Sequence, residues 1–315
     1  MKQLLLISSF FVLIGCSSSE QRTQNPEVSS SYTNTKFLKN TPAVRHQLCT
    51  RDQFCPVTFT TQDDVTISAL FRNNPHARAT LICLAGFYPG NKEGLAVFAD
   101  ILPADQYNVL LVDARGHGQS EGNLWWDIAK LGTHEYRDII AAMEFIHQET
   151  NKPIVIYGLC AGAFHALQAI THVKYAYLQV LKIRGLIFDS GWATMCEITH
   201  QAVTQDIKRR VPTRLLQTAA RWIFNVVYYS WYQSVCERTD KRARLPERIE
   251  DVQIPIFYIH AQNDTYSPLE SCKILHEKTK HKTEWFLQEA RHAYIHLHHS
   301  KEFGKKILEF LNAVI

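Results

Sequence analysis

Three short stretches carry side chains suited to acyl transfer. The stretch "YGLCAG" (157–162) sets Cys160 between Gly158 and Gly162, directly after the apolar run "PIVIYG". A strand that breaks into Gly-x-Cys-x-Gly lifts a thiol onto a sharp bend at the head of a helix. Asp264 in "HAQNDTYSP" (260–268) and His292 in "QEARHAY" (288–294) each follow a further apolar run. Such chemistry needs a nucleophile, a base to take its proton and an acid to orient the base. A loop aspartate is usually solvated and a lone histidine usually structural, so the weight lies in three such groups at matched strand ends, in the chain order nucleophile, acid, histidine. Asp189 in "FDSG" also ends a strand-like run and is an alternative acid. An oxyanion needs two backbone donors. The loop "LAGFYPG" (84–90) offers the N–H of Phe87, and the residue after the thiol offers that of Ala161.

A cysteine in this role changes the chemistry. A thiol beside an imidazole and at a helix N-terminus ionises more readily than a free one. The expected resting pair is thiolate and imidazolium. Attack on an acyl carbon then gives a thioester, which water, an amine, a thiol or an alcohol can take up.

The elements that must position these groups follow from periodicity. The runs 55–61 and 65–71 predict a hairpin around Gln62-Asp63-Asp64. Strands are predicted at 79–85, 107–114, 153–158, 183–190, 254–261 and 283–288, and helices at 93–102, 133–149, 160–172, 267–278 and 299–314. Continuous apolar strands alternating with helices predict a mostly parallel eight-stranded sheet covered on both faces. The alternation fails between Trp192 and Val252, where an inserted helical lid is expected over 192–251. Within 206–250 ten Lys/Arg stand against five Asp/Glu, a local charge of +5. That stretch reads either as an ordinary cap with solvated charges or as an apolar acyl pocket with a basic rim, suited to anionic substrates or to lying against anionic lipid.

Composition bounds the rest. With 315 residues and a formal charge of +4, the chain is long enough for a sizeable core and too mildly basic to imply nucleic acid. Trp125 and Trp126 are candidate pocket walls, with packing the plainer reading. "HLHH" (296–299) lacks carboxylates and zinc-site spacing, so no metal is expected there. Of the eight cysteines, Cys49 and Cys55 are close enough to form a disulfide, whereas Cys83, Cys196, Cys236 and Cys272 read as core thiols.

The N-terminus "MKQLLLISSFFVLIGC" has a lysine, a short apolar region and small residues, the pattern of a secretory signal. Its ending, Leu13-Ile14-Gly15-Cys16, resembles the lipobox of bacterial lipoproteins. That resemblance implies cleavage before Cys16, lipidation of its thiol and anchoring in the cell envelope, with Ser17 favouring the outer membrane. The polar stretch 17–45 reads as a tether.

Taken together, "LICLAGFYPG", "LLVDARGHGQSEG", "IYGLCAG", "RGLIFDSG" and "HAQNDTYSP…RHAY" resemble the serine-aminopeptidase and monoacylglycerol-lipase-like branch of the α/β-hydrolases, over roughly 55–315. The resemblance implies an α/β-hydrolase core at 46–191 and 252–315. It also implies cofactor-free hydrolysis of an ester, amide or thioester in a small acyl substrate. Asp113, Arg115 and His117 are expected to be structural. Ala85 and Ala261 depart from the family pattern, where histidine and glycine are common, and Cys160 departs most. Similar cysteine elbows occur in dienelactone hydrolases, which lack a long lid, and in polyhydroxyalkanoate synthases, whose cytoplasmic work conflicts with an export signal. The leading expectation is an envelope hydrolase acting through acyl-Cys160. The rivals are an acyltransferase using the same intermediate and a catalytically silent binding lipoprotein.

Overall fold

The computed structural model describes residues 54–87, 90–96, 98, 101–122, 132–210, 213–227 and 233–315. The expected signal, Cys16, the tether and Trp125–Trp126 lie outside the described residues.

Eight strands form one sheet: β1 (Cys55–Thr60), β2 (Thr66–Arg72), β3 (Ala79–Leu84), β4 (Tyr107–Val112), β5 (Ile154–Leu159), β6 (Ile183–Asp189), β7 (Ile256–Ala261) and β8 (Lys282–Leu287). Their spatial order is β1-β2-β4-β3-β5-β6-β7-β8. The β1–β2 hairpin and the β2–β4 pair are antiparallel, and every later pair is parallel. The fold is the expected α/β-hydrolase plan. Strands β3, β4 and β7 are buried at every residue, so their sequences need no alternation and read as continuous apolar runs.

Two apolar layers cover the sheet. One face holds α1 (Tyr136–Thr150) and α2 (Ala161–His172), which pack Ile139, Met143, Phe164 and Leu167 against Ile82, Leu110 and Ile156. The other face packs Phe98, Phe303, Ile307 and Phe310 against Leu81, Val109, Tyr157 and Phe257.

After α2 comes a short helix, α3 (Tyr175–Val180), which periodicity did not mark. Among the described residues four α-helices run between β6 and β7: α4 (Met195–Arg210), α5 (Arg214–Val227), α6 (Gln233–Ala243) and α7 (Leu245–Arg248). A cap across the insertion ties α6 to α4. Asp240 of α6 accepts the N–H groups of Met195 and Cys196 at the start of α4, at 2.5 and 3.0 Å. Helix α8 (Leu269–Lys278) follows β7, and after β8 come α9 (Ile295–His298) and α10 (Ser300–Val314). The helix expected at 93–102 begins as a 3-10 turn at Lys92–Leu95, and part of its remainder lies outside the described residues.

Cys83, Cys236 and Cys272 are buried as expected, whereas Cys196 is only half-buried. Cys55 is disulfide-bonded; Cys49, its expected partner, lies outside the described residues. The loop residues read as structural behave so. Asp113 is fully buried and takes Lys92 Nζ at 2.5 Å, and Arg115 sits between Asp63 and Asp138 at 2.8 and 2.7 Å.

Candidate active site

Strand β5 ends at Leu159 and α2 starts at Ala161, so Cys160 alone makes the bend. Its backbone has φ 57° and ψ −116°, a conformation that L-residues rarely adopt. The bend is held from both sides. The Cys160 N–H donates to Asp189 O at 2.8 Å, and Cys160 O accepts from Ala163 N–H at 3.1 Å. Close packing explains the two glycines. A Cβ on Gly158 would lie 2.5 Å from Ala163 Cα, and one on Gly162 would lie 2.5 Å from Leu84 O. Any side chain at either position would push the helix off the sheet.

The other two groups reach this bend from neighbouring strand ends. Asp264 leaves the carboxyl end of β7 and His292 the loop after β8. His292 Nδ1 lies 2.6 Å from Asp264 Oδ2, and its Nε2 lies 3.1 Å from Cys160 Sγ. The other oxygen of Asp264 accepts the N–H groups of Tyr266 and Ser267 at 2.8 and 2.9 Å, which fixes the carboxylate in its loop. Asp264 is fully buried at its side chain, while His292 keeps 17% exposure. The thiol therefore faces a ring that solvent and substrate can approach.

The electrostatics follow from that packing. Burial by itself would push the His292 imidazole down, but the charge of Cys160 and the hydrogen bond to Asp264 outweigh it. Its pKa stands well above the ordinary value. Burial raises Asp264, yet the contacts from His292 win and hold its carboxyl below the usual value. The imidazolium form of the ring is the favoured one here.

Asp189, the alternative acid, takes a different place. Its Oδ2 accepts from Tyr157 OH at 2.7 Å and its Oδ1 from Ser190 Oγ at 2.8 Å, with no direct bond to His292. The oxyanion candidates adjoin residues at the bend. Ala161 opens α2. Phe87 is partly buried and edge-on to the His117 ring, 5.9 Å away. Its neighbour Gly86 is so near that a Cβ there would be 3.1 Å from Cys160 Cβ and 3.5 Å from Sγ. Among the described residues, no hydrogen bond is donated by the N–H of Phe87 or Ala161.

Two neighbours of the site escaped the sequence. Tyr266 lays its ring beside that of His292, with centroids 5.7 Å apart. Ser190 receives the Ala293 N–H at 3.4 Å, next to the histidine. Position relative to the acid and the histidine was the only signal for either. "HLHH" falls in and just after α9, where His296 is buried and its pKa is pushed down to about 4. Among the described residues no three His, Cys, Asp or Glu side chains are grouped to hold a metal ion.

Comparison with known proteins agrees with this architecture. The profile of the family "Serine aminopeptidase, S33" matches residues 75–247. The uncharacterized protein YqkD of Bacillus subtilis is 25% identical over 211 residues, which is 65% of this chain and 62% of that protein, so less than two thirds of its length is matched. The Pyrococcus furiosus esterase Pf2001 superposes with a TM-score of 0.64 at 19% identity, covering 83% of this chain and 91% of that one. The Pyrococcus horikoshii acylaminoacyl peptidase gives 0.59 at 14% identity, covering 84% of this chain and 42% of the peptidase.

Proposed function

Because the chain belongs to the serine aminopeptidase S33 family of α/β-hydrolases, we propose that it is a hydrolase whose nucleophile is Cys160 rather than serine. On this reading Cys160, His292 and Asp264 form its catalytic triad, and its substrates are small carboxylic esters or thioesters. One observation carries the reading: the 3.1 Å approach of His292 Nε2 to the sulfur at a backbone bend of φ 57°. The esterase and peptidase that share the fold both cleave acyl–heteroatom bonds by name, which agrees with an acyl substrate.

In the proposed cycle the proton of Cys160 already rests on His292, and the thiolate adds to the acyl carbon. The resulting oxyanion is met by the N–H groups of Phe87 and Ala161. Collapse expels the alcohol or thiol, which takes the proton from His292 and leaves a thioester on Cys160. Water, deprotonated by the same ring, then releases the acid and restores the thiolate–imidazolium pair. Asp264 holds the ring and its charge throughout. The helices at 192–251 serve as the lid on this reading. Cys16 carries the lipid that anchors the enzyme to the envelope, and mass analysis of the N-terminal peptide tests that point.

Intact-mass measurement after a brief reaction with an activated ester tests the core of the proposal. An acyl adduct mapped to Cys160 is expected. Cys160→Ala and His292→Ala should lower turnover by about a thousandfold or more. Folded protein that forms no adduct at Cys160 with any of a range of activated esters, or a His292→Ala protein as active as the parent, refutes it.

A further inference from the structure

Helix α5 (Arg214–Val227) has no buried side chain among those described. Of the eleven large apolar side chains exposed on the described residues, four belong to this one helix: Leu216 at 54%, Trp222 at 68%, Ile223 at 55% and Val226 at 53%. At about 100° per residue these four fall within about 120° of arc, so they form a single stripe. A soluble surface rarely gathers such groups without a partner.

Charge decides between partners. The segment 206–250, which contains α5, carries +5, while the whole chain carries +4, leaving the remainder at −1. Lys208 beside α5, and Arg238, Lys241 and Arg242 on α6, are exposed. A second copy docked stripe to stripe would bring one +5 segment against another, a like-charge contact. An anionic lipid surface accepts both features together. The acyl–headgroup boundary takes the apolar stripe with its tryptophan, and the headgroups attract the cations. Among the described residues no helix is long and apolar enough to cross a membrane, which agrees with a helix lying along the interface. We propose that α5 is an interfacial helix that docks the protein flat on anionic bilayers. This contact is separate from any anchor at the N-terminus and independent of the acyl-cysteine reading.

Hydrogen–deuterium exchange on the full chain tests this, read at the peptide 214–227 so that attachment elsewhere does not count. The chain is compared in buffer, with phosphatidylcholine vesicles, and with vesicles containing about a third phosphatidylglycerol. Exchange of α5 should slow at least about fivefold on the anionic vesicles and little on the neutral ones. Trp222→Glu/Ile223→Asn should abolish the slowing while leaving Tm unchanged. Exchange on anionic vesicles equal to that in buffer overturns the proposal. Equal slowing on neutral vesicles overturns its anionic specificity. Slowing that needs no lipid and grows with protein concentration assigns the stripe to a second copy instead.

Discussion

His292 favours its protonated form although packing partly desolvates it, because Asp264 and Cys160 face its two nitrogens. That balance has a stability signature. Asp264, held low, contributes stability above the ordinary carboxylate value of about 3.9, and this is lost as pH falls through its lower folded value. His292, held high, contributes below about 6.5 and loses this as pH rises through its raised value. Both are present between about pH 4 and 6.5, so Asp264→Asn should cost most there, about 1–3 kcal/mol, and progressively less at alkaline pH. Urea melts across pH check it, and a cost independent of pH would contradict the pairing. Asp189 has the opposite sign. Burial pushes its carboxyl up to about 6, against the lowering bonds from Tyr157 and Ser190, so its ionisation weighs against the fold. The parent should therefore lose up to about 3 kcal/mol relative to Asp189→Asn as pH climbs from 4 to 7. The residue types at all these positions were legible in the sequence. The strand-end loop position points to Asp264 as the acid with Asp189 as the alternative, and the structure places Asp264, not Asp189, against the ring.

Elements were legible in proportion to how they are buried. The parallel strands announce themselves because both faces are covered, and the bend at Cys160 because flanking glycines are needed where α2 presses on β3 and β5. Short α3 did not, with only Leu178 buried. The helices between β6 and β7 have mixed polar and apolar faces, so their boundaries followed from contacts such as the Asp240 cap rather than from period. Two glycine substitutions separate scaffold from chemistry. In Gly162→Ala the new Cβ meets the backbone oxygen of Leu84 at 2.5 Å, where nothing can swing aside. A loss of about 2–4 kcal/mol of stability is expected. In Gly86→Ala the new methyl meets Cys160 itself at 3.1 Å. Here kcat/KM should fall about 10–100-fold with Tm nearly unchanged, because a small displacement of the sulfur spoils attack geometry. Equal thermal losses in both variants would show that Gly86 serves folding rather than the site.

At the scale of the whole molecule, stability is unevenly distributed. The sheet and its two apolar layers bury nearly every large side chain from β2 to β7, whereas α5 buries none of its described ones. Regions with few buried apolar contacts open at low free energy. The same region carries exposed trypsin sites at Lys208, Arg238, Lys241, Arg242 and Arg244. C-terminal to residue 53, limited trypsin digestion should therefore cut first within 205–245, and about tenfold or more faster than within 79–191. The nicked chain should keep its sheet signal and its cooperative melt, because the sheet and the elements carrying Cys160, Asp264 and His292 lie outside the insertion. On the proposed function, cleavage of a short soluble ester should persist in the nicked chain, while that of long-chain esters falls as the helical insertion loosens. First cuts inside α1 or α2, or loss of both activities in step with the nick, would mean that the insertion and the sheet open as one unit.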